Sequence, residues 1–535
     1  MPFLTQRKDL PTTRLAQLGV LALCAIWLLA GVFGHDPWKN DDALHLGAAF
    51  GMNKDNWLVP RIAGDPWLAS PPLYHWVAAL CGKLFGWLMP WHDAARLASS
   101  VFAAALLAML ARTASTLFGP SAGLAAPMMA IGTLGLLVPL HDAQPAIVTL
   151  TGFAVTLFGL LQWRQRPVHG GLIVGAGIGL CFLGTGLAGT VVPATVTALV
   201  QLHPAWRTQR NHAAGLVALA VAAMMAFPWP WLLHQHSSVL FDLWWFAELS
   251  NLSAHESFTL RHLELMAWAS WPVLPLALWT VWLERRRLWQ PPTLLPLTAA
   301  LVALLHFLVN DPKLTSLLPA LVPLTLLAAT GAGRLKRGAA NAFDWFGMMT
   351  FTLLSGLIWL GGIAILTGEP ARVAKNFSKP APDFVAMLSV PALLLAIAAS
   401  VGWIVVMVRT PRSPWRAAAR WSVGMTTVWV LLIALWLPWI DHGKTYRSVS
   451  VDFSQALAGY DGCIARRNLG LAQRASLDYF SGIRTVSRNH AQHCRFMIVQ
   501  ARQGAEKTLP GWRAVLATSR PGDKSEEMRL YRRAD

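Results

Sequence analysis

Charged residues are scarce in this chain of 535 residues, at 13% against roughly 25% in average soluble domains. Apolar residues make up 55%, and the mean hydropathy is +0.45. This composition excludes a soluble multidomain protein and a disordered chain. The net charge of +18 is spread over short basic clusters between long apolar runs, which is a pattern of membrane topology. The composition therefore predicts a polytopic membrane protein that binds no nucleic acid.

Cysteine is also rare, with 5 in the chain, and no CxxC motif or His/Cys cluster suggests a structural metal. Three of the cysteines, Cys24, Cys81 and Cys181, fall within or beside apolar runs, where we expect small buried side chains. Cys463 and Cys494 lie in a polar C-terminal region. They could form a disulfide if that region faces an oxidising compartment.

Thirteen apolar runs come close to the roughly 20 residues that a spanning helix needs. We place them near 15–34, 94–112, 121–140, 145–163, 170–187, 189–204, 213–233, 264–283, 291–309, 314–332, 343–366, 386–408 and 421–440. The division of 170–204 into two spans depends only on the break from Gly184 to Gly189. Residues 1–14 are polar and basic, and no small-residue cleavage site follows the first run, so we expect an uncleaved first helix.

The charges between the runs predict an orientation. Under the thirteen-span interpretation the basic clusters fall on one side, which is the cytoplasm by the positive-inside rule; they are Arg7, Lys8, Arg14, Arg164, Arg166, Arg207, Arg210, Arg285, Arg286, Arg287, Arg334, Lys336, Arg337, Arg409, Arg412, Arg416 and Arg420. Most acids fall on the other side: Asp36, Asp41, Asp42, Asp55, Asp65, Asp142, Asp242, Glu248, Glu256, Asp311, Glu369 and Asp383. The N-terminus is then cytoplasmic, and the odd number of spans places the C-terminal region outside.

The C-terminal region differs from the rest of the chain because it is polar and has an ordinary charge content. Residues 495–499 and 527–531 alternate as strands do, and 452–459 are typical of a short amphipathic helix. We therefore predict a mainly α membrane protein with two parts. A domain of about thirteen transmembrane helices covers 1–440, and a small external α/β domain covers 441–535.

The first external loop, 35–93, is too long to be a simple connection, and long ordered loops usually carry function. Its pattern favours one helix lying in the membrane interface over 43–52 and a second that begins near Pro71 and Pro72. Asp41 and Asp42 stand where the first helix begins. Capping and the helix dipole explain two acids there without any catalytic role.

Two other external residues have similar simple explanations. Asp142 precedes the fourth span and suits a helix start, and Lys313 suits snorkelling toward lipid phosphate.

The loop nevertheless resembles a known family. One branch of the C-type glycosyltransferases contains the lipid A aminoarabinose transferases and bacterial protein mannosyltransferase relatives. It has an Asp-Glu pair, then Gly-Asp-Trp-Leu-Val-Pro, then Pro-Pro-Leu-Tyr-Tyr-Trp. The matching segments here are Asp41-Asp42, Lys54-Asp55-Asn56-Trp57-Leu58-Val59-Pro60, Pro71-Pro72-Leu73-Tyr74-His75-Trp76, Ala95-Arg96-Leu97 and Asp311-Pro312-Lys313. The resemblance covers roughly residues 30–330 and also implies thirteen spans with an external C-terminal domain.

The resemblance implies a bacterial inner-membrane enzyme with a periplasmic C-terminal domain. Such an enzyme moves a sugar of the aminoarabinose or hexose type from an undecaprenyl-phosphate donor to lipid A or another envelope acceptor, with inversion at the anomeric carbon. Asp41 would be the general base or acceptor-orienting carboxylate, Asp142 a second acid of the same cavity, and Asp42 a partner that orients Asp41. Substrate binding would fall to Lys313, Arg61, Arg261 and Tyr74.

The chain also departs from the family pattern. Ala69-Ser70 stand where relatives commonly have Glu-Lys, Gly184-Thr185-Gly186 replace a Lys, and no Tyr follows Lys313. We therefore expect no cofactor, and the lost Glu removes a possible ligand for a divalent metal. Three alternatives remain: a catalytically weakened homologue, a protein O-glycosyltransferase and a lipid-linked sugar transporter. A transporter usually shows internal repeats, and none is evident here.

Overall fold

The computed structural model describes residues 13–38, 41–54, 56–207, 209–253, 256–381, 383–487, 493–504 and 509–534. The predicted basic residues Arg7 and Lys8 and the matched Asp55 lie outside these ranges. The described chain is mainly helical, with one small sheet near its C-terminus.

The first half of the chain holds eleven α-helices and one short β-hairpin. They are α1 Arg14–Leu29, α2 Asp41–Lys54, β1 Arg61–Ile62, β2 Asp65–Pro66, α3 Leu73–Phe85, α4 Trp91–Phe118, α5 Pro120–Ile131, α6 Leu134–Leu137, α7 Ala146–Gln165, α8 Pro167–Val200, α9 Asn211–Ala226, α10 Pro228–His236 and α11 Ser238–Ser253. A 3₁₀ turn at Pro204–Trp206 follows α8. Several of these helices begin with proline, whose fixed φ suits a first turn.

Within the described residues, the second half holds eight further helices before the C-terminal α/β unit. They are α12 Leu260–Ala269, α13 Val273–Leu283, α14 Pro291–Leu308, α15 Leu314–Gly331, α16 Arg337–Thr367, α17 Ala371–Ser378, α18 Val390–Arg409 and α19 Arg416–Lys444. A 3₁₀ turn at Ala332–Arg334 follows α15. Small residues dominate the buried core, and Ala103, Ala126, Ala300 and Ala328 are almost fully excluded from solvent. Small side chains let helix backbones approach closely, as membrane bundles require.

Nine helices within the described residues are long and apolar enough to cross a membrane. The number becomes ten if α12 and α13, which meet at a bend of 88°, form one span. Two shorter apolar helices, α1 and α5, coincide with the first and third predicted runs. The coarse prediction of a multi-pass helical membrane protein is therefore confirmed. The count of thirteen stays a prediction.

Helix α8 contains the break that the sequence predicts at Gly184–Gly189. Thr185 and Gly186 have non-helical backbone angles, and Gly186 has φ of +71°, which a residue with a side chain rarely adopts. After the break the chain returns toward the end of the bundle where α8 began. There the Trp206 indole donates to the Leu160 carbonyl at 2.9 Å and lies under the Arg164 guanidinium. Helix α8 is thus two antiparallel limbs.

The C-terminal region, for which we predict an external location, forms a compact α/β unit that is called the external unit below. It comprises α20 Arg447–Ala456, β3 Ile464–Arg467, α21 Leu471–Ser481, β4 Thr485–Ser487, β5 Phe496–Arg502, β6 Trp512–Thr518 and β7 Glu526–Arg533. The strand order is β4-β3-β5-β7-β6, in which β3 is parallel to β4 and β5 and the other pairs are antiparallel. The strands predicted at 495–499 and 527–531 are confirmed. Cys463 and Cys494 form the predicted disulfide beside β3 and β5.

This unit packs on the first loop rather than standing apart from it. Helix α21 lies against α2, where Gly47 is so close to Ala475 that a side chain at position 47 would clash. Arg466 and Arg474 both donate to the Asp65 carboxylate of the β-hairpin, at 2.7 and 2.6 Å. Both helices predicted for the first loop are present as α2 and α3. The contacts of α2 and the β-hairpin with the external unit hold α2 in a fixed position.

Candidate active site

The two adjacent aspartates at the start of α2 occupy different environments. Asp42 is buried, at 3% exposure, whereas Asp41 is exposed. Both stand in the first turn of the helix, where the free backbone N–H groups favour a negative charge. The helix-start explanation therefore applies to the pair, but it leaves the Asp41 side chain available to other molecules.

Asp42 is held by an arginine that is fully buried. Arg96, on α4, donates from Nε to Oδ1 of Asp42 at 3.0 Å and from Nη2 to Oδ2 at 2.8 Å. Its other donors reach the His35 and Asp36 carbonyls and the Asp93 carboxylate at 2.9 to 3.0 Å. All five N–H donors of the guanidinium are thus used. Burial raises the pKa of Asp42, but the charge and hydrogen bonds of Arg96 outweigh that effect and hold it at about 2.

The segment before α7 closes over this pair. The Ala143 N–H donates to Oδ1 of Asp42 at 3.2 Å, and the Gln144 amide donates to Oδ2 of Asp41 at 3.0 Å. Asp142 therefore lies beside the pair, where burial first, and then the negative charges of Asp42 and Asp41, raise its pKa to about 7. The structure brings together Asp41, Asp42 and Asp142, as their predicted roles in one cavity require.

Tyr74 stabilises the segment that carries Asp142. It is fully buried, and its hydroxyl shares a hydrogen bond of 2.8 Å with Ser99, whose own hydroxyl donates to the Asp142 carbonyl at 2.7 Å. The direct substrate contact predicted for Tyr74 is contradicted by this burial. The side chain instead fixes the backbone that carries Asp142.

A pocket opens close to Asp142 on the same end of the bundle. It lies between α7, the second limb of α8, α14 and α15, and Ala146 is the lining residue nearest in sequence to Asp142. The empty space, including the open mouth, is about 850 Å³. Its polar lining consists of Thr149, Thr185, His306, Asn310, Thr315 and Ser316. The remaining lining residues, such as Leu150, Phe153 and Val192, are apolar. No charged side chain is among the described residues that line it, so the pocket suits an apolar chain better than a bare ion.

Two of the three predicted cations stand near the mouth of this pocket. Lys313 lies between the lining residues Asn310 and Thr315, and its ammonium pairs with Asp311 at 2.5 Å. Arg261 is exposed and precedes His262, whose ring bonds the Asn310 carbonyl at 2.9 Å.

Arg61 lies elsewhere. Its guanidinium donates to the Gly64 carbonyl at 2.8 Å within the β-hairpin. Its neighbour Ile62 packs on Ala48, seven residues and roughly 10 Å along α2 from Asp41. The structure does not bring Arg61 to the carboxylates.

The break in α8 forms one wall of the pocket, and an acid from α11 stabilises it. Glu248 is buried, and its carboxylate accepts from the Leu187 N–H at 2.8 Å, at the start of the second limb. It also lies against Gly186, at the position where a side chain would clash with it. The Thr149 and Thr185 hydroxyls are 2.9 Å apart across the pocket wall. The turn between the two limbs is therefore fixed from both sides.

Several residues of the site were not predicted. Arg96 stands in the matched Ala95-Arg96-Leu97, and Gln144 is two residues from Asp142, so the motifs contained both without indicating their roles. Trp38 lies outside the matched segments, and its role was not indicated by them. Its indole donates to Asp441 at 2.7 Å, a residue 403 positions later. A partner at that separation is not visible in a single sequence.

No group of three or more His, Cys, Asp or Glu side chains in the described ranges has the arrangement of a metal site. Both oxygens of Asp42 already accept hydrogen bonds from N–H groups. Asp42 is therefore engaged by N–H donors and is poorly placed to bind a metal ion.

The comparisons with known proteins agree with this geometry. Residues 69–231 match the family described as dolichyl-phosphate-mannose-protein mannosyltransferase. The chain is 26% identical over 441 residues to the undecaprenyl phosphate-alpha-4-amino-4-deoxy-L-arabinose arabinosyl transferase of Pseudomonas aeruginosa, covering 77% of this chain and 75% of that protein. The transferase of the same name from Serratia proteamaculans is 24% identical over 447 residues, covering 77% and 75%.

A solved structure has a similar fold. The crystal structure of ArnT from Cupriavidus metallidurans bound to undecaprenyl phosphate superposes with a TM-score of 0.72, covering 96% of this chain and 98% of that one at 14% sequence identity. The same protein in the apo state gives 0.70. The likeness extends through the bundle and the external unit alike.

Proposed function

We propose, from a resemblance to the C-type glycosyltransferases that the comparisons confirm, that this protein transfers a sugar from an undecaprenyl-phosphate carrier. The acceptor is lipid A or another glycolipid of the bacterial envelope, and the sugar is of the aminoarabinose or hexose type. The named relatives support the carrier and the sugar class. The single observation that carries the proposal is the exposed Asp41 beside Asp142, next to an uncharged pocket open to the same end of the bundle.

The geometry supports a division of labour within the site. The pocket takes the polyprenyl chain, because its lining is mainly apolar and its polar groups are uncharged. Lys313 and Arg261 stand near that mouth, where they neutralise the carrier phosphate as the leaving group departs. Asp41 is held by Gln144, so its carboxylate orients the acceptor opposite the leaving phosphate.

The transfer is a direct displacement at the anomeric carbon. The acceptor oxygen forms a bond to that carbon, the bond to the carrier phosphate oxygen breaks, and the phosphate keeps the electron pair. A hydroxyl acceptor gives its proton to Asp41, whereas a phosphate acceptor is already anionic and needs only orientation. Asp142 shapes the same cavity. The configuration at the anomeric carbon is inverted.

We also propose the membrane arrangement that this chemistry needs. Nine long helices, the bent α12–α13 pair, the short helices α1 and α5 and the second limb of α8 together give thirteen spans. The positive-inside rule then places the N-terminus in the cytoplasm and the carboxylates and external unit in the periplasm. Helices α2 and α3 lie in the interface, at the depth of a lipid phosphate. A reporter fused at the C-terminus tests this, since cytoplasmic activity there would overturn the arrangement.

The central test is transfer by purified protein in proteoliposomes. We expect radiolabelled undecaprenyl-phosphate sugar to label lipid A, and we expect Asp41→Asn to reduce the rate at least 100-fold, since positioned acid and base groups contribute about 10²–10⁴. Asp242→Asn, at an exposed aspartate on α11, serves as the matched control. Transfer by Asp41→Asn at the wild-type rate would remove this residue from catalysis. Addition of Mg²⁺ or EDTA in the same assay tests the proposal that no cofactor is needed.

Two alternatives are separated by the same preparation. The family matched over residues 69–231 is named for a protein acceptor, so label in protein rather than lipid would indicate a protein O-glycosyltransferase. A weakened homologue, suggested by the loss of family cations at Ser70 and Thr185, would bind undecaprenyl phosphate but transfer no sugar. An unchanged lipid A mass spectrum in cells lacking the protein would count against the lipid acceptor.

A further inference from the structure

The cations nearest the carboxylates differ in whether they are paired. Arg96 is buried and saturated by Asp42, Asp93 and two backbone carbonyls. Arg447, at the start of α20, pairs with the Asp36 carboxylate at 2.5 Å. Lys444, the last residue of α19, is exposed and forms no ion pair with any carboxylate in the described parts of the chain. Its charge is therefore available to a ligand.

Lys444 is held in place by the same residues that organise the carboxylates. Its ammonium lies 4.7 Å from the centre of the Trp38 ring, a cation–π contact. The Trp38 indole donates to Asp441 at 2.7 Å, and its backbone N–H donates to Oδ2 of Asp42 at 3.2 Å. Trp38 also forms a β-bridge with Thr445. The ring that supports Lys444 is thus held by Asp441, and the backbone of Trp38 is hydrogen-bonded to Asp42.

The field of Lys444 acts on the same cavity. Its positive charge opposes the rise in the pKa of Asp142 that burial and the neighbouring carboxylates cause. An exposed lysine on an aromatic ring is ordinarily a solvated side chain, and Lys54 on the Phe50 ring, at 4.3 Å, is such a case in the same loop. Lys444 differs because its platform is tied to the catalytic acids.

The pocket offers a reason why such a cation is needed. Its described lining carries no Lys or Arg, and Lys313 at the mouth is already paired with Asp311. Both substrates of the proposed reaction carry phosphate when the acceptor is lipid A. Lys313 and Arg261 are assigned to the carrier phosphate, so a second phosphate beside Asp41 and Asp142 would need a further cation.

We propose that Lys444 binds a phosphate oxygen of a substrate at the Asp41–Asp142 cavity, with Trp38 as its platform. This inference rests on the proposed function for the identity of the substrates, but not for the binding itself. The phosphate belongs either to the prenyl carrier or to the lipid acceptor. Lys444 reaches the carboxylates from α19, whereas Lys313 and Arg261 approach from the pocket mouth.

The test compares Lys444→Gln with Lys444→Arg in detergent-purified full-length protein. Undecaprenyl phosphate and lipid A are titrated separately, and equilibrium binding is measured without any transfer. We expect Lys444→Gln to weaken the binding of one of the two at least 10-fold at low salt, and Lys444→Arg to retain most of the affinity. The affected lipid identifies the source of the phosphate. Lys54→Gln removes a lysine from the other ring of the loop and should leave both affinities unchanged.

Transfer kinetics give a second reading. If the wild type transfers sugar, Lys444→Gln should raise the KM of the affected substrate more than it lowers kcat. A wild type that binds but does not transfer would overturn the proposed function and leave the binding result intact. Unchanged affinity for both lipids in Lys444→Gln, with an unfolding temperature equal to that of the wild type, would overturn the role of Lys444. If Lys444→Gln does not fold, a 10-fold loss of binding in Lys444→Arg would overturn it as well.

Discussion

The carboxylate cluster and the pocket beside it differ in composition, because the cluster consists of charged side chains and the pocket lining of uncharged ones. Around Asp42, charged groups are buried and every donor of Arg96 has an acceptor. In the adjacent pocket, the wall consists of apolar and uncharged polar side chains, with no charge in its described lining. Buried charges tolerate little movement, because each must keep its partner. Apolar walls tolerate adjustment of the chain they hold.

The difference indicates which part of the reaction each region controls. Hydrogen bonding in the carboxylate cluster fixes the position of Asp41, and a transfer reaction requires such precise orientation. Under the proposed function, the pocket holds a long flexible carrier whose isoprene units need contact area rather than a fixed orientation. Affinity and catalysis should therefore respond to different mutations.

The largest effect is expected from breaking the charged region. Asp42→Asn removes one of the two carboxylates that pair with the buried Arg96 guanidinium, which should cost about 3 kcal/mol of folding free energy and abolish transfer. Thermal unfolding, monitored by the loss of the folded peak in size-exclusion chromatography, measures the decrease in folding stability. A double variant, Asp42→Leu with Arg96→Met, should recover folded protein but no activity. Wild-type stability of Asp42→Asn alone would show that the buried pair is not needed for folding.

The next largest effect should come from filling the pocket. Ala188→Trp, at a half-buried lining position of α8, should weaken undecaprenyl phosphate binding at least 10-fold, because the ring occupies the space of the carrier. Folding stability should change little, since the pocket is open at its mouth. Ala220→Trp, on the exposed face of α9, is the control. Equal binding by both variants would mean that the carrier lies elsewhere.

A smaller effect is expected from the shifted carboxyl of Asp142. Its pKa is raised from 3.8 to about 7 in the folded protein, so the folded state binds the proton more tightly than the unfolded state does. Folding stability is therefore lost as pH rises from about 4 to 7. Asp142→Asn removes this loss. Its unfolding temperature should exceed that of the wild type at pH 8 by more than at pH 4.5, and a constant difference would contradict the shift.

The smallest effect concerns the turn between the limbs of α8. Glu248→Gln keeps an acceptor oxygen for the Leu187 N–H but removes the charge from that hydrogen bond. We expect a loss of about 1 kcal/mol and a modest rise in the carrier KM, because Thr185 lines the pocket. Glu264→Gln, at an exposed position of α12, provides the comparison. A larger loss than in Asp42→Asn would reverse the order proposed for the two regions.

Much of this fold was predictable because its causes are local. Long apolar runs, basic clusters and the break at Gly184–Gly189 are readable along the chain, and alternation identified the strands that became β5 and β7. The motif around Asp41 and Asp42 marked the site through its resemblance to a family. The structure adds the proximity of Asp142 to that motif, across about one hundred residues.

The remaining features depend on contacts that no local pattern encodes. Tyr74 occurs in the matched motif, yet its side chain points into the core, because the face that a helix buries depends on its neighbours. Arg61 was grouped with the binding residues on charge alone, and it closes a hairpin instead. Lys444 carried no signal at all, because its significance comes from Trp38, far away in sequence.

The hydrogen bonds between Asp36 and Arg447 join residues 411 positions apart. A ribosome adds about 5–20 residues per second, so roughly 20 to 80 s separate the synthesis of the two partners. Near the end of that interval the nascent chain contains all the long helices except a complete α19, and it still lacks Asp441 and Lys444. Transfer activity should therefore begin only when translation is almost complete, and chains released early should have no transfer activity.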